Sequence, residues 1–84
     1  MKQRHTNVAS LVKKQRSKWR LTQEDVTKRL GYKKAQMISN IENGKQSIPA
    51  KHLKQFCLVL AMDVEMAVDA KLKDYDEYLR RCLK

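Results

Sequence analysis

Apolar residues along this chain recur at spacings of three and four, and no stretch alternates strictly between apolar and polar. That period belongs to helices whose one face is buried, so the chain reads as all-α. Val8, Leu11, Val12 and Trp19 form the first stripe, on a helix expected over about residues 7–19 with Thr6 or Asn7 as its cap. Trp19 is expected in the core. Thr22 followed three residues later by Asp25 opens a second helix in the manner of a capping box. Val26 and Leu30 face inward on it, and Gly31 ends it. Ile38 and Ile41, with Met37 beside them, are the inward residues of a third helix over about 35–43, closed by Gly44. Pro49 suits the first turn of a fourth helix with the stripe Leu53, Phe56, Cys57 and Leu60. Asp63 is placed to cap a fifth helix that runs nearly to the end. On that last helix Val68, Leu72, Tyr75, Leu79 and Cys82 are spaced four, three, four and three, a heptad seam over two heptads.

Composition narrows the function. The net charge is +10 over 84 residues, and it is unevenly spread. Residues 1–34 hold eleven Lys/Arg against two acids, whereas residues 61–84 hold five against six. A basic front attracts a polyanion, and a near-neutral tail permits self-association that the front would oppose. The lysines of the first helix also admit a plainer reading, as a solvated face. There is no apolar run near 18 residues and no signal-peptide apolar segment at the start, so neither a membrane span nor secretion is expected. Cys57 and Cys82 form no spaced framework and are expected as reduced thiols, Cys57 as a small core residue. His5 and His52 lack metal-ligand spacing, so they are expected as surface histidines and no metal or other cofactor is expected. No nucleophile–base arrangement, paired carboxylates at usable spacing or phosphate-cradling glycine loop is present, and enzymatic activity is not expected. RNA binding lacks the exposed aromatics that single-strand stacking needs.

The stretch from Leu21 to Gly44 has what a helix-turn-helix requires: apolar residues to lock two helices, a glycine at the turn, and a polar outward face on the second helix. Gln36, Ser39, Asn40 and Asn43 lie away from the Ile38/Ile41 side by helical spacing. Glutamine and asparagine can bond adenine bidentately, and lysine can donate to guanine. Lys33 and Lys34, at the turn, are within the same reach of bases or phosphates.

Residues 8–62 resemble the phage-repressor and Cro-like (xenobiotic-response-element type) helix-turn-helix family. The resemblance is carried by an arginine in the first helix, the "LTQ" start of the second, the "LG" turn, "ISNIENG" and the "LKQFCLVLAMD" helix, in that order. It implies an all-α domain of five helices with an extended C-terminal helix. Residues 1–62 would be the DNA-binding unit, with the bracing helix over about 22–30 and the recognition helix over about 35–43. Outside that resemblance, the heptad seam of residues 63–84 either folds back over the chain's own core or pairs with a second copy as a dimerisation element built on Val68, Leu72, Tyr75, Leu79 and Cys82, and its near-neutral charge favours the second. Lys34, Gln36, Ser39 and Asn40 would read bases. Gln23, Lys33, Asn43, Lys45, Gln46 and Lys51 would hold phosphates, and Arg16 and Glu42 would form a structural ion pair. The expected partners are double-stranded DNA and a second copy of the chain, in a bacterial or phage-directed cytoplasmic setting. The expected function is that of a regulator, as a repressor on a palindromic operator. The alternative is an antitoxin whose tail holds a toxin or other small protein. Two departures from the family's pattern bear on this. Thr27 stands where a small alanine is common, and Gly31 to Ile38 spans seven residues where six is usual, so the turn is one residue longer.

Overall fold

The computed structural model describes residues 3–84. Five α-helices follow one another: α1 (Thr6–Lys18), α2 (Gln23–Leu30), α3 (Gln36–Glu42), α4 (Leu53–Val59), which is led in by a 3-10 turn over Ala50–His52, and α5 (Val64–Cys82). Val8, Val12, Val26, Ile38, Ile41, Ile48, Phe56 and Leu60 are fully buried in one core, to which α5 contributes Ala67 and Ala70. Each of the larger side chains contributes about 1.5–3 kcal/mol by leaving water.

The helix ends are set by a recurrent device. At Gly31 the left-handed backbone (φ 81°) lets the Gly31 and Tyr32 N–H groups donate to the Lys28 and Thr27 carbonyls at 3.1 and 3.0 Å. Gly44 (φ 75°) does the same for α3, with Gly44 and Lys45 donating to Ile41 and Asn40 at 3.1 and 2.9 Å. These are Schellman closures. α1 and α4 close identically, but through Arg20 (φ 54°) and Ala61 (φ 49°), so a residue with a Cβ is held there in a conformation that disfavours it.

α2 begins with a complete capping box. The Asp25 N–H donates to Thr22 Oγ1 at 3.0 Å, and the Thr22 N–H donates to Asp25 Oδ2 at 2.9 Å. These bonds hold the Asp25 carboxyl below its usual range. Thr27 is buried without disrupting the helix crossing, because its hydroxyl donates to the Gln23 carbonyl one turn back, at 2.7 Å.

Three expectations change. α1 is not capped by Thr6 or Asn7: His5 is its cap residue and makes no side-chain bond. The cap comes from α5. Asp74, fully buried, accepts the backbone N–H of Asn7 at 2.7 Å and of Val8 at 3.1 Å, and the Asn7 side chain at 2.9 Å. A carboxylate at the positive end of a helix satisfies donors that would otherwise lie unpaired. Second, Trp19 is not core but 50 % exposed, with the Lys18 ammonium 5.5 Å from its ring centre. The helix has ended at Lys18, so Trp19 falls out of the register of Val8 and Val12. Gln15 is buried instead, its amide donating to the Leu60 and Ala61 carbonyls at 3.4 and 3.5 Å and so closing the end of α4. Third, Asp63 leads α5 without a side-chain cap bond.

α5 is fastened on one face only. Beyond Asp74, Lys71 donates to the Ile48 carbonyl and to the Ser47 hydroxyl at 3.1 Å, fixing the loop that leads to α4. Burial holds the Lys71 ammonium below its ordinary pKa, against the opposing pull of Asp74. Residues 68, 72, 75, 79 and 82 lie one position on from this anchored face, rotated by about 100°. Leu72, Tyr75 and Leu79 are 61, 53 and 43 % exposed and Val68 is half-buried, so most of the heptad seam stays off the chain's own core. Asp74→Ala removes the acceptor of two backbone N–H groups, that of Val8 buried and that of Asn7 half-buried. It is expected to destabilise the fold by about 3 kcal/mol, read as a lower urea midpoint with an unchanged slope.

Candidate nucleic-acid interface

α3 has seven residues, too few to stand alone, and its leading residue Ala35 gives no side-chain cap. Ile38 and Ile41 bury its inward side, and a polar cluster fixes its far end. Arg16, from α1, grips Glu42 with two parallel bonds, Nε to Oε2 at 2.6 Å and Nη2 to Oε1 at 2.9 Å. Its remaining Nη1 donates to the Leu21 carbonyl at 2.8 Å. Gln23, from the first turn of α2, donates to Glu42 Oε1 at 3.3 Å. Three elements thus converge on one carboxylate, whose side chain is 4 % exposed. The hydrogen bond to Glu42 raises the Arg16 pKa further, so the guanidinium stays charged.

The outward side of α3 is a ladder of amides and hydroxyls. The Gln36 amide donates to Asn40 Oδ1 at 2.9 Å, and Asn40 Nδ2 donates to Gln46 Oε1 at 3.4 Å. Asn43 Nδ2 donates to Ser39 Oγ at 3.4 Å. Gln36 and Asn43 are exposed, while Ser39, Asn40 and Gln46 are half-buried. These groups hold one another in place and can exchange those bonds for base edges. Around them Lys33, Lys34, Lys45 and Lys51 are exposed, and among the described residues none of the four has a carboxylate within ion-pair distance. Lys33 and Lys34 sit in the five-residue turn between α2 and α3, Lys45 in the loop after α3, and Lys51 in the 3-10 turn.

Of the residues singled out from the sequence, the fold brings Arg16, Gln23 and Glu42 into one cluster, and Gln36, Asn40 and Gln46 into another. Val68, Leu72, Tyr75, Leu79 and Cys82 lie on α5, outside both clusters. Tyr32 does not simply lock α2 to α3. Its hydroxyl pairs with His52 Nδ1 at 2.8 Å and its ring faces Phe56 at 6.4 Å between centres, so it ties the turn to α4. His52 is accordingly a half-buried partner rather than an isolated surface histidine. His5 is also half-buried, and its N–H donates to the Gly44 carbonyl at 3.1 Å, which lays the N-terminal segment beside the end of α3. Sequence reading missed that juxtaposition; the spacing of Thr6, Ser10 and Lys13 along one face of α1 is the signal it left unused. Trp19 adds one aromatic ring to the surface, but Tyr75, another exposed aromatic, lies away on α5.

Because Glu42 is almost wholly buried, removing Arg16 leaves a carboxylate without its charge partner. Arg16→Met is expected to cost about 3 kcal/mol, and Arg16→Met with Glu42→Leu markedly less. Urea unfolding of the two variants checks this; equal losses would show that the pair is not the coupling element.

The comparisons with known proteins agree with this geometry. Residues 12–65, which hold α2, α3, α4 and the second half of α1, match the family model described as Helix-turn-helix. No curated protein and no solved structure matches the chain significantly. Among the described residues no helix is long and apolar enough to cross a membrane. With well over half of its length matched, and with α3 held by α1 and α2 so that an amide-bearing face is left outward, the chain belongs to the phage-repressor and Cro-like helix-turn-helix family of DNA-binding transcriptional regulators.

Proposed function

We propose that the protein is a repressor that binds a palindromic operator as a dimer, acting by occlusion in the cytoplasm of a bacterium, whether host- or phage-encoded. The observation that carries this reading is the ladder Gln36–Asn40–Gln46, mounted on a helix whose position Glu42 fixes, with exposed Lys33, Lys34 and Lys45 in the segments that flank that helix. In it, α3 enters the major groove. Lys34, Gln36, Ser39 and Asn40 read base edges. Gln23, Lys33, Asn43, Lys45, Gln46 and Lys51 hold the backbone, which sets register and supplies most of the affinity. Gln23 carries two roles in this scheme, since the amide that would meet phosphate also steadies Glu42.

The second copy is argued from α5. Its seam of Val68, Leu72, Tyr75, Leu79 and Cys82 is apolar and largely open, while its flanks carry both signs of charge, including an Asp76–Arg80 pair at 2.9 Å. Such a helix complements a copy of itself. Two copies place two recognition helices on half-sites about one helical turn, roughly 34 Å, apart. An antitoxin role leaves the DNA-binding half of this scheme intact and replaces the second copy by a toxin on the same seam. Co-purification of the natively expressed chain with a second small protein encoded beside it would favour that occupant.

Selection of bound sites from random DNA is expected to return an inverted repeat. Asn40→Ala should lower discrimination by about 1–3 kcal/mol at one base pair of each half-site, while Lys45→Ala weakens all sequences alike and lowers the salt slope by about 1. Equal loss on specific and random DNA for Asn40→Ala would remove that residue from base reading. Leu72→Asp with Leu79→Asp should leave a folded monomer by sedimentation that binds isolated half-sites but no longer prefers the full repeat.

A further inference from the structure

We propose that the N-terminal segment completes the DNA interface: the cleft between it, α1 and the end of α3 is a backbone-phosphate site, with Arg4 as its principal cation. This rests on the DNA-binding reading above and extends it to a segment that lies outside the matched residues 12–65.

The cleft has a volume of about 280 Å³, and Arg4, Thr6, Ser10 and Lys13 line it on one side, Asn43 and Gly44 on the other. A second hollow of about 430 Å³ adjoins it, lined by Gln3, Arg4, Gly44 and Lys45. Arg4 and Gly44 border both. Thr6, Ser10 and Lys13 are spaced four and three along α1, so two hydroxyls and an ammonium share one face. Ala9 is also part of this wall, and its small side chain leaves the space between them open. The arrangement is rich in donors: guanidinium, ammonium, hydroxyls and the Asn43 amide. Its one carboxylate belongs to Glu42, and both oxygens of that group are already engaged by Arg16, with Gln23 on one of them. Among the described residues, Arg4, Lys13 and Lys45 have no ion-pair partner.

Position decides which anion this is. Asn43 belongs both to the outward side of α3 and to the wall of the cleft, so the cleft begins where the base-reading face ends. The His5 N–H bond to the Gly44 carbonyl holds the segment there at 3.1 Å, and Gly44 keeps the left-handed turn that presents that carbonyl. A duplex whose groove receives α3 brings its backbone past this edge, and phosphate oxygens are acceptors that suit a cluster of donors. A base edge presents donors as well as acceptors and suits it less.

The test is the salt dependence of DNA binding by the full chain. Affinities of the wild type, Arg4→Ala, Arg4→Lys and Lys73→Ala are measured for a selected site and for random duplex between 50 and 200 mM KCl, a range over which counterion release is readily resolved. Arg4→Ala is expected to bind both duplexes roughly 5- to 10-fold more weakly at the middle of the range and to lower the slope of log K against log salt by about 0.9. Arg4→Lys should keep the slope, because the charge remains. Lys73, exposed on α5, serves as the control and should change neither quantity. A slope and affinity unaltered by Arg4→Ala, alongside wild-type binding that Lys45→Ala does weaken, would overturn the phosphate site and leave the DNA-binding reading standing. Tight binding of free inorganic phosphate with no effect of Arg4→Ala on DNA would overturn it too, by assigning the cleft to a small anion. Absence of salt-dependent DNA binding by the wild type would instead remove the reading on which the site depends. Arg4 is exposed, so a melting temperature equal to wild type is expected and separates loss of contact from loss of fold.

Discussion

The buried carboxylate of Glu42 is the point on which the arrangement turns. A seven-residue helix with no side-chain cap has little tendency to form and none to choose its direction. Apolar contacts from Ile38 and Ile41 hold α3 against the core, but burial is not directional and leaves rotation about the contact open. The fork of Arg16 removes that freedom, since two parallel bonds at 2.6 and 2.9 Å fix the carboxylate in plane as well as in place. Because Arg16 also bonds the Leu21 carbonyl and Gln23 bonds Glu42, the junction between α1 and α2 is fixed by the same group. What faces outward from α3 is therefore decided from behind, by a carboxylate and a guanidinium outside the base-reading face.

Much of this was legible in the sequence, for reasons that are local. Thr22 and Asp25 bond within three residues of one another, so their pattern announces itself. Gly31 and Gly44 mark left-handed turns that other residues adopt at a cost. Ile38, Ile41, Phe56 and Leu60 follow the helical period and are buried, as that period implies. The misread features are those whose cause lies far along the chain. Asp74 caps α1 across 66 residues, and no reading of the neighbourhood of Thr6 reveals it. Arg20 and Ala61 close helices in a role that composition assigns to glycine, so both ends are poorly marked. The helical period puts Trp19 on the inward stripe, but α1 ends at Lys18, one step before it, and the period no longer sets its exposure.

The candidate site divides in the same way. The residues of α3 could be sorted into inward and outward sets because the helical period is short and Gly44 fixes its end. The longer turn is different. Lys33 and Lys34 occupy irregular backbone between Gly31 and α3, where no period carries a side chain's direction. The part played by Gln23 in steadying Glu42, and the approach of His5 to Gly44, are tertiary facts; they required the fold.

The bond from Asp74 to the start of α1 also bears on how the protein comes into being. As the chain emerges from the ribosome, the start of α1 is made 66 residues ahead of the acceptor that stabilises it. Domains assembled from neighbouring segments can mature while synthesis continues. This one leaves α1 incomplete until α5 is delivered. A product that stops before Asp74 therefore lacks the group that secures the start of α1, and its unpaired N-terminal turn is a ready site for proteolysis.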